Sequence, residues 1–434
     1  MCTQHNNRMT ELFLHHIWQY QLFDHTHLKT TNGEAIEIVT AGMYNSNAGP
    51  DFLQATIKID NTLWVGNIEI HLQSNDWYTH KHHLQPEYNS VILHVVSVYN
   101  KPVVNQKHVE IPTLILPITS RHQYSWNLLS NCCLHKTCNS IFSSIDTFTT
   151  NMWFDRLVIE RFESKTNTIL CDFESTNSSW ETTCYRTISR ALGNPLNSQP
   201  FEMLTQSVSL GILAKHSHSI FQLEAILLGQ AGLLHNHSTN TYAIELFKEY
   251  TFLQKKYSLT PIAASMWKFS KMRPMSFPPI RIAQLCELIY RSRSLTSHIL
   301  ECTHIQNIIT LFDITLHDYW DTHYTLHEQS PYKKKHIGIH TIHSIIINAI
   351  IPFLFAYGSK TSQEIYKERA LEFLESLPSE QNSILSHWQR LGIQSHNAYR
   401  SQALLQLHKE YCNTKRCLHC VFGHTYFSHI LKKY

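Results

Sequence analysis

The chain has 434 residues, of which 43% are hydrophobic, with only 12 glycines and 14 prolines. This composition is typical of a globular protein and excludes a low-complexity chain, while the length predicts two or three domains rather than one core. The formal net charge of +3 permits contact with nucleic acid without predicting it, because a dedicated nucleic-acid-binding protein usually carries a strongly basic domain.

Histidine is unusually frequent, with 31 copies, and 11 cysteines are present. Local histidine clusters are therefore expected by chance, and each one needs support from its position. The first residues, from Cys2 to Met9, are polar and lack the charged-then-apolar pattern of a signal segment, so we expect a cytoplasmic protein. Reduced thiols are the default there, and clustered cysteines more often bind metal.

The first predicted element is an amphipathic helix from Thr10 to Phe23, because its apolar residues recur every three to four positions. Short strands are predicted at Ala35–Thr40 and Leu53–Ile59, the second with regular alternation of apolar and polar residues. Leu63–Gln73 then predicts the partner of that second strand in a hairpin.

This hairpin is the most informative feature of the sequence. Glu69 and His71 share one face of its second strand, about 7 Å apart, since side chains alternate and each residue rises by about 3.3–3.4 Å. Asp51 follows a Gly-Pro turn before the first strand and is expected alongside. The three side chains predict a divalent-metal site, and the alternative is a polar surface on a structural hairpin. The opposite face is apolar and predicted to lie in the core: Trp64, Ile68, Ile70 and Leu72.

A histidine-rich segment, Ser74–Tyr88, follows the hairpin and is predicted to be a short helix or an ordered loop. His80 is a further candidate metal ligand, and His82 and His83 offer imidazoles near the same edge. The alternative is a histidine-rich loop that uses Trp77 as a core residue.

The strand Val91–Val98 is almost continuously apolar, which is typical of a central strand covered on both faces. His94 within it is expected to be a hydrogen-bonded core histidine. A further short strand is predicted at Thr113–Leu116. Together these elements predict one α/β domain over residues 9–125.

A Pro-Asp pair followed 18 residues later by Glu-x-(basic) across a hairpin resembles the PD-(D/E)xK nuclease family. The resemblance implies a restriction-endonuclease-like fold in which Asp51 and Glu69 hold Mg²⁺ or Mn²⁺, which activates water and neutralises phosphate charge. His71 stands where that family has lysine, and is expected to be a metal ligand or a general base, unless the site is inactive. Lys58 or Lys81 is the candidate for the missing ammonium group.

Beyond Asp146 the sequence changes to helical patterns, and residues 146–434 are predicted to form a mostly α-helical region with a cysteine-rich tail. The longest apolar run, Ile345–Tyr357, has about 13 residues, whereas a membrane span needs about 20. We therefore expect a buried helix and no transmembrane segment.

Scattered basic residues are candidate phosphate contacts, because phosphate binding is largely Coulombic. Arg273 and Arg281 flank a proline-rich segment that fixes the loop. Together with Lys58 they are the predicted nucleic-acid contacts. For the run Lys333–Lys335, a solvated surface is the favoured interpretation.

Near the end of the sequence, Cys412, Cys417 and Cys420 have the C-x₄-C-x₂-C spacing of thiolate ligands. The candidates for a fourth ligand are Cys132, Cys133 and Cys138. Some nucleases of the type just described close a [4Fe–4S] cluster with one distant and three C-terminal cysteines, so the resemblance implies an iron–sulfur cluster as well as zinc. Cysteines packed as small hydrophobic residues are the alternative.

Eight segments carry a second resemblance: N-A-G-P-D-F (47–52), W-V-G-N-I-E-I-H (64–71), S-N-D-W-Y-T-H (74–80), V-I-L-H-V-V (91–96), L-E-A-I-L-L-G-Q-A-G-L-L (223–234), R-P-M-S-F-P-P-I-R (273–281), W-D-T-H-Y (320–324) and S-Q-A-L-L-Q-L-H-K-E-Y-C (401–412). Together they resemble a bacterial family described as domain of unknown function 2851, from Met9 to Gly423. The resemblance implies one complete protein rather than a fusion, and it supplies no catalytic residues.

We therefore expect an α+β protein, with an N-terminal restriction-endonuclease-like α/β domain followed by a mostly α-helical region. The leading functional hypothesis is a divalent-metal-dependent nucleic-acid phosphodiesterase with Asp51, Glu69 and His71 at its centre. The alternative is a non-catalytic nucleic-acid- or protein-binding scaffold on a degenerate nuclease fold. Nucleic acid is the expected partner, and no membrane is expected.

Overall fold

The computed structural model of the protein describes residues 9–45, 48–124, 145–193, 195–235, 240–292 and 294–432. A sheet is formed near the N-terminus, and most of the rest is helical, which confirms the predicted α+β class. The α-helices are Glu11–Gln19 (α1), Asp76–Thr79 (α2), Thr147–Ser175, Trp180–Leu192, Ser198–Ser207, Leu210–Lys215, Ile220–Gln230, Thr241–Tyr257, Pro278–Arg291, Leu295–Glu301, Ile305–Leu311, Asp318–Asp321, Ile339–Ile345, Ile351–Thr361, Glu364–Ser376, Ser383–Arg390, Ala398–Gln406 and Val421–Lys432. Ile346–Ile350 and Leu407–Cys412 are π-helical, and the 3₁₀ turns are His82–Leu84, Pro86–Ser90, Ala264–Met266, Pro274–Ser276 and Cys417–His419.

The sheet mixes antiparallel and parallel pairs in the order β1-β3-β4-β5-β6, with β2 paired to β3. Its strands are Ile36–Thr40 (β1), Met43–Tyr44 (β2), Phe52–Ile59 (β3), Thr62–Gln73 (β4), Val91–Val98 (β5) and Thr113–Ile115 (β6). The strands β1, β3 and β4 are antiparallel, whereas β4, β5 and β6 run parallel. The segment that carries α2 therefore crosses over from the end of β4 to the start of β5.

Alternation along β4 separates the core from the polar side chains as predicted, but only in its second half. Ile68 and Ile70 are buried in the hydrophobic core, while Glu69 and His71 point to the other face and contact each other. Trp64 was predicted to lie in the core and is instead 46% exposed. The physical reason is length, because β4 extends past the core toward the β3–β4 turn.

The helix α1 covers the apolar face of the sheet with Phe13, Leu14, Ile17 and Trp18, all fully buried. It ends earlier than predicted, because Gln21 adopts a left-handed conformation with φ of 51° and turns the chain out of the helix.

The C-terminal helix Val421–Lys432 belongs to the same core. Leu418 and Phe427 pack in the cluster that contains Phe13, and the rings of Phe13 and Phe427 lie 5.5 Å apart. The chain divides into two compact units, the first formed by residues up to 153 together with 387–393 and 407–434. This division differs from the predicted boundaries, because an apolar helix face near the C-terminus is buried in the first unit.

Removing this contact is expected to destabilise the first unit. Phe427 is fully buried, so Phe427→Ala should lower the free energy of unfolding by about 3–5 kcal/mol, through lost burial and the cavity left behind. Leu84→Ala is the control, because Leu84 is 60% exposed and surface substitutions usually change stability by less than about 0.5 kcal/mol. Urea unfolding followed by circular dichroism measures both. Equal stability of the two variants would contradict this packing.

The second unit, residues 154–386 and 394–406, is helical and contains a buried carboxylate. Glu224 is fully buried, and its Oε1 accepts hydrogen bonds from Trp320 Nε1 at 2.8 Å and His317 Nε2 at 3.0 Å. Its Oε2 accepts from the Tyr242 hydroxyl at 2.6 Å. The helices of this unit are therefore joined by polar contacts as well as by apolar packing.

One helical run of the described chain, Ile339–Thr361, has the length and apolar composition of a membrane span: 23 residues, with a mean hydropathy of 1.8 in its window. It extends beyond both ends of the predicted apolar run, and a π-helical turn, Ile346–Ile350, precedes Pro352 within it. Of that window, 67% is buried inside the fold, as in the core helix of a globular unit.

The basic run Lys333–Lys335 is only partly solvated. Lys333 and Lys334 are exposed as predicted, but Lys335 is fully buried. Its ammonium donates to the Asp321 carbonyl oxygen at 3.1 Å and lies 4.1 Å from the centre of the Tyr324 ring. The ring and the carbonyl supply the negative potential that replaces water around this cation.

Candidate metal centre

The segment between β4 and β5 is anchored by a buried serine. The Ser74 hydroxyl donates to the carbonyl oxygen of Lys101 at 2.8 Å and accepts from the backbone N–H groups of Asn100 and Lys101 at 3.0 Å each. Asn100 in turn accepts from the Asn75 N–H at 2.9 Å. These bonds tie the end of β4 to the end of β5 and fix where the histidine-rich segment begins.

Trp77 and Lys81 then direct two histidines toward β4. The Trp77 ring is fully buried, and its Nε1 donates to the Val104 carbonyl oxygen at 3.0 Å. Lys81 has a left-handed φ of 64°, which reverses the chain between His80 and His82. Both imidazoles consequently approach the same strand, although they lie on either side of Lys81.

One carboxylate and three imidazoles meet at the polar face of β4. Glu69 Oε1 lies 3.2 Å from His82 Nε2 and 3.6 Å from His71 Nε2. His71 Nε2 lies 3.1 Å from His80 Nδ1. Across the described residues, His71, His80 and His82 form a set of possible metal ligands whose ligating atoms all lie within 4.8 Å.

These separations fit a bound transition-metal ion. Tetrahedral zinc with imidazole ligands at 2.0–2.1 Å places the ligating atoms about 3.3–3.4 Å apart. The contacts of Glu69 Oε1 and His71 Nε2, from 3.1 to 3.6 Å, bracket that value, while the three histidine ligating atoms span up to 4.8 Å. The donor set of nitrogens with one carboxylate suits zinc, manganese or iron better than magnesium, which prefers oxygen ligands.

Burial and hydrogen bonds shift the protonation of these groups in different directions. Burial, reinforced by the neighbouring histidines, lowers the pKa of His71 to about 2, so its imidazole is neutral near pH 7 and keeps a free lone pair. Burial raises the pKa of Glu69, and the charge of Asp51 adds to this, against the hydrogen bond from His82. Burial also acts to lower the pKa of His82, but its hydrogen bonds to Glu69 and Gln85 raise it overall.

His94 contacts Nδ1 of His71, the ring nitrogen that does not face His80. His94 is fully buried on β5, and its Nε2 lies 2.8 Å from His71 Nδ1, as expected for a hydrogen-bonded core histidine. If His71 uses Nε2 for a metal, its Nδ1–H donates to His94, a contact of the type that orients metal-binding imidazoles. The Nδ1 of His94 is buried and has no hydrogen-bond partner within the described ranges.

Asp51 lies beside this cluster and holds Glu69 in place. The Asp51 N–H donates to Glu69 Oε2 at 3.1 Å, while Asp51 Oδ2 accepts from the Ile70 N–H at 2.9 Å. His15 on α1 approaches the same carboxylate, with its Nε2 3.2 Å from Oδ2. Burial acts to lower the pKa of His15, but the hydrogen bond and charge of Asp51 raise it overall. Asp51 is thus a neighbour of the cluster, and its role as a ligand stays a prediction.

Lys58 does not join the site. It lies six residues beyond Phe52 on β3, about 20 Å along the strand at 3.3–3.4 Å per residue, whereas Phe52 pairs with Ile68 beside Glu69. Its ammonium faces Glu37 at 3.8 Å. Lys81, the other candidate for the missing ammonium, is exposed.

The remaining predicted site residues lie elsewhere in the chain. Arg273 and Arg281 belong to the second unit, where Arg273 is exposed and Arg281 donates to Gln284 Oε1 at 2.9 Å. Burial lowers the pKa of Arg281 to about 10. The C-terminal cysteines are buried: Cys412, Cys417 and Cys420. Their candidate partners lie outside the described residues, so this zinc or iron–sulfur site stays a prediction: Cys132, Cys133 and Cys138.

Sequence reasoning missed His15. It lies on α1 between the core residues Leu14 and Ile17, and its contact with Asp51 depends on how the helix packs on the sheet. The spacing of apolar residues predicts such a helix but not its rotation relative to a polar residue on a strand. Predicting this contact requires information that relates residues far apart in the sequence, which a local pattern does not contain.

One family model matches this chain. No curated protein and no solved structure matches the chain. The family model described as "Protein of unknown function (DUF2851)" matches residues 11–383. The match includes every residue of the candidate metal centre and ends before the C-terminal cysteines. Because it covers well over half of the sequence, the chain belongs to the DUF2851 family.

Proposed function

We propose that this protein is a divalent-metal-dependent phosphodiesterase that acts on nucleic acid. Its metal centre would be formed by Glu69, His71, His80 and His82, with Asp51 beside Glu69. Three short contacts carry the proposal. Glu69 Oε1 lies 3.6 Å from His71 Nε2 and 3.2 Å from His82 Nε2, and His71 Nε2 lies 3.1 Å from His80 Nδ1. A set of imidazole nitrogens and one carboxylate oxygen, most of them buried, is suited to a cation.

The arrangement of secondary structure supports the finer part of the proposal, a restriction-endonuclease-like fold in the first unit. The helix α1 precedes three antiparallel strands, β1, β3 and β4, and the short helix α2 leads into the parallel strand β5. This element order adds to the resemblance to the PD-(D/E)xK family, which rests on the Pro-Asp and Glu-x-(basic) pattern. Asp51 directly precedes β3, and Glu69 lies on the neighbouring strand β4.

The side chains of this site would have different roles in the reaction. A bound divalent ion would lower the pKa of an attacking water and neutralise charge on the phosphoryl group. His71 and His82 would hold the ion, Asp51 fixes Glu69 through its backbone N–H, and His94 fixes the ring of His71. His80 is exposed, so it would be the ligand most accessible to a substrate. We propose Mn²⁺ or Zn²⁺ rather than Mg²⁺, because three of the four donors are nitrogens.

Hydrolysis of labelled nucleic acids tests this proposal. Metal-free protein is supplied with Mn²⁺, Zn²⁺ or Mg²⁺ and with single- and double-stranded DNA and RNA. We expect cleavage with Mn²⁺ or Zn²⁺, none with chelator, and a rate at least tenfold lower in Glu69→Gln, which keeps the shape of the side chain but removes its charge. Glu87→Gln is the matched control, because Glu87 is exposed on the same connecting segment.

One observation favours the alternative of a non-catalytic scaffold. His71 occupies the position where the nuclease family has lysine, and Lys58 lies far along the hairpin. Binding of nucleic acid without cleavage under every metal condition would support the scaffold and refute the phosphodiesterase. Cleavage that continues unchanged in Glu69→Gln would also refute it, because the activity would then come from another site or from a contaminant.

A further inference from the structure

A cavity whose lining includes several polar and charged residues lies within the second unit, independent of the metal centre. Its volume is about 220 Å³, and since one water needs about 10–15 Å³ by the same kind of measure, it can hold a small solute. The helices Thr147–Ser175 and Trp180–Leu192 and the π-helical turn Ile346–Ile350 contribute to its wall. The polar lining residues used below are Lys165, Thr168, Arg190, Ser198 and Asn348.

Lys165 places a cation on this wall without a carboxylate partner. Its ammonium lies 3.1 Å from Asn348 Oδ1 and 3.3 Å from Gln402 Oε1, both neutral amide oxygens. An ammonium group has three N–H donors, so one donor is left after these two bonds. In the part of the chain that the structure describes, Lys165 forms no ion pair.

The neighbouring charges do not compensate Lys165. Glu380 attracts its ammonium and Arg161 repels it, and the Glu380 carboxylate is already hydrogen-bonded by Gln402 and by Asn348 Nδ2 at 3.5 Å. Burial, with the charge of Arg161, lowers the pKa of Lys165 to about 7, as expected for a cation in the interior without a counter-ion.

The other cation on the wall is already neutralised. Arg190 NH2 lies 2.6 Å from Asp172 Oδ2, and its Nε lies 3.2 Å from Glu202 Oε2. These two carboxylates would repel an anion placed close to Arg190. The unmatched positive charge of the cavity is therefore on the side of Lys165.

We propose that this cavity binds a small oxyanion, a phosphate or carboxylate group, with Lys165 as its principal charged partner. An anion there accepts the third N–H of the ammonium and supplies the missing counter-charge. Lysine commonly binds phosphate as a point charge. Ser198 is the first residue of the ten-residue helix Ser198–Ser207, and its position on the wall adds the positive end of a helix dipole.

Calorimetric titration of the full-length, metal-free protein tests the proposal, with inorganic phosphate in one arm and acetate in the other. We expect wild-type binding in at least one arm, and the stronger arm identifies the chemical class. Lys165→Gln should weaken binding at least tenfold, whereas Lys165→Arg should retain it, because the arginine keeps the charge. The matched control is Lys360→Gln, in which a half-exposed lysine of the same unit is changed and binding should stay the same.

A second variant keeps the test decisive if Lys165→Gln does not fold. Thr168 is exposed at the rim of the cavity, so Thr168→Glu introduces a carboxylate there without disturbing the bonds of Lys165. The added negative charge should also weaken anion binding at least tenfold. Absence of wild-type binding in both arms would overturn the proposal, as would binding that neither Lys165→Gln nor Thr168→Glu weakens. Because the protein is metal-free, failure here is independent of the phosphodiesterase proposal.

Discussion

Zn²⁺ or Mn²⁺ is expected to bind the first unit at one site, and His82→Ala is expected to lower the affinity about a hundred- to a thousandfold. Structural zinc sites bind with about 10–16 kcal/mol, so one of four ligands accounts for about 3–4 kcal/mol, which corresponds to that range. His82 is a sensitive choice because its Nε2 lies 3.2 Å from Glu69 Oε1, and its ring stacks on Tyr88 with centres 3.8 Å apart.

Competition titration of Zn²⁺ against a chromophoric chelator measures this change. Glu69→Gln should weaken binding to a similar extent, because a neutral amide is a poor substitute for a carboxylate ligand. His83→Ala is the matched control, since His83 is the next residue in the chain and packs its ring against Tyr78 instead. Equal affinities of His82→Ala and His83→Ala would show that any bound metal lies elsewhere, for example at the C-terminal cysteines.

Glu224→Ala is expected to lower the free energy of unfolding of the second unit by about 3–5 kcal/mol. The substitution removes the acceptor of three hydrogen bonds. The donor groups of Trp320, Tyr242 and His317 then lack the carboxylate that accepts from them. A buried donor left unpaired costs about 1–3 kcal/mol, and Trp320 is fully buried.

Urea unfolding monitored by tryptophan fluorescence reports this loss, because Trp320 contacts Glu224 directly. Glu224→Gln should recover part of the stability, since its amide oxygen still accepts hydrogen bonds. Glu245→Ala on the helix Thr241–Tyr257 is the control, because Glu245 is exposed. A loss below about 1 kcal/mol in Glu224→Ala would mean that water replaces the carboxylate and that the network contributes little.

Features set by local repetition were predictable from the sequence. The period-two pattern of β4 correctly placed Glu69 and His71 on one face and Ile68 and Ile70 on the other, because strand geometry admits no other alternation. The same pattern failed at Trp64, because alternation tells which face a residue takes but not whether anything covers that face.

Features set by chain reversal or by distant packing were not predictable. His80 and His82 converge because Lys81 adopts a left-handed φ, although lysine is not a residue that favours this conformation. Phe427 reaches the core of the N-terminal sheet from the other end of the sequence, and nothing in its local pattern indicates which core it joins. The buried Lys335 was missed for the same reason, since its carbonyl and aromatic partners come from residues 321 and 324.

The packing of Leu418 and Phe427 against Phe13 has a consequence for the time at which the first unit can fold. About 300 residues separate the sheet from the C-terminal helix, and ribosomes add about 5–20 residues per second, so the helix emerges about 15–60 s after the sheet. During that interval the surface around Phe13 lacks its final cover. The nascent chain therefore presents an apolar surface to chaperones until synthesis has reached its last segment.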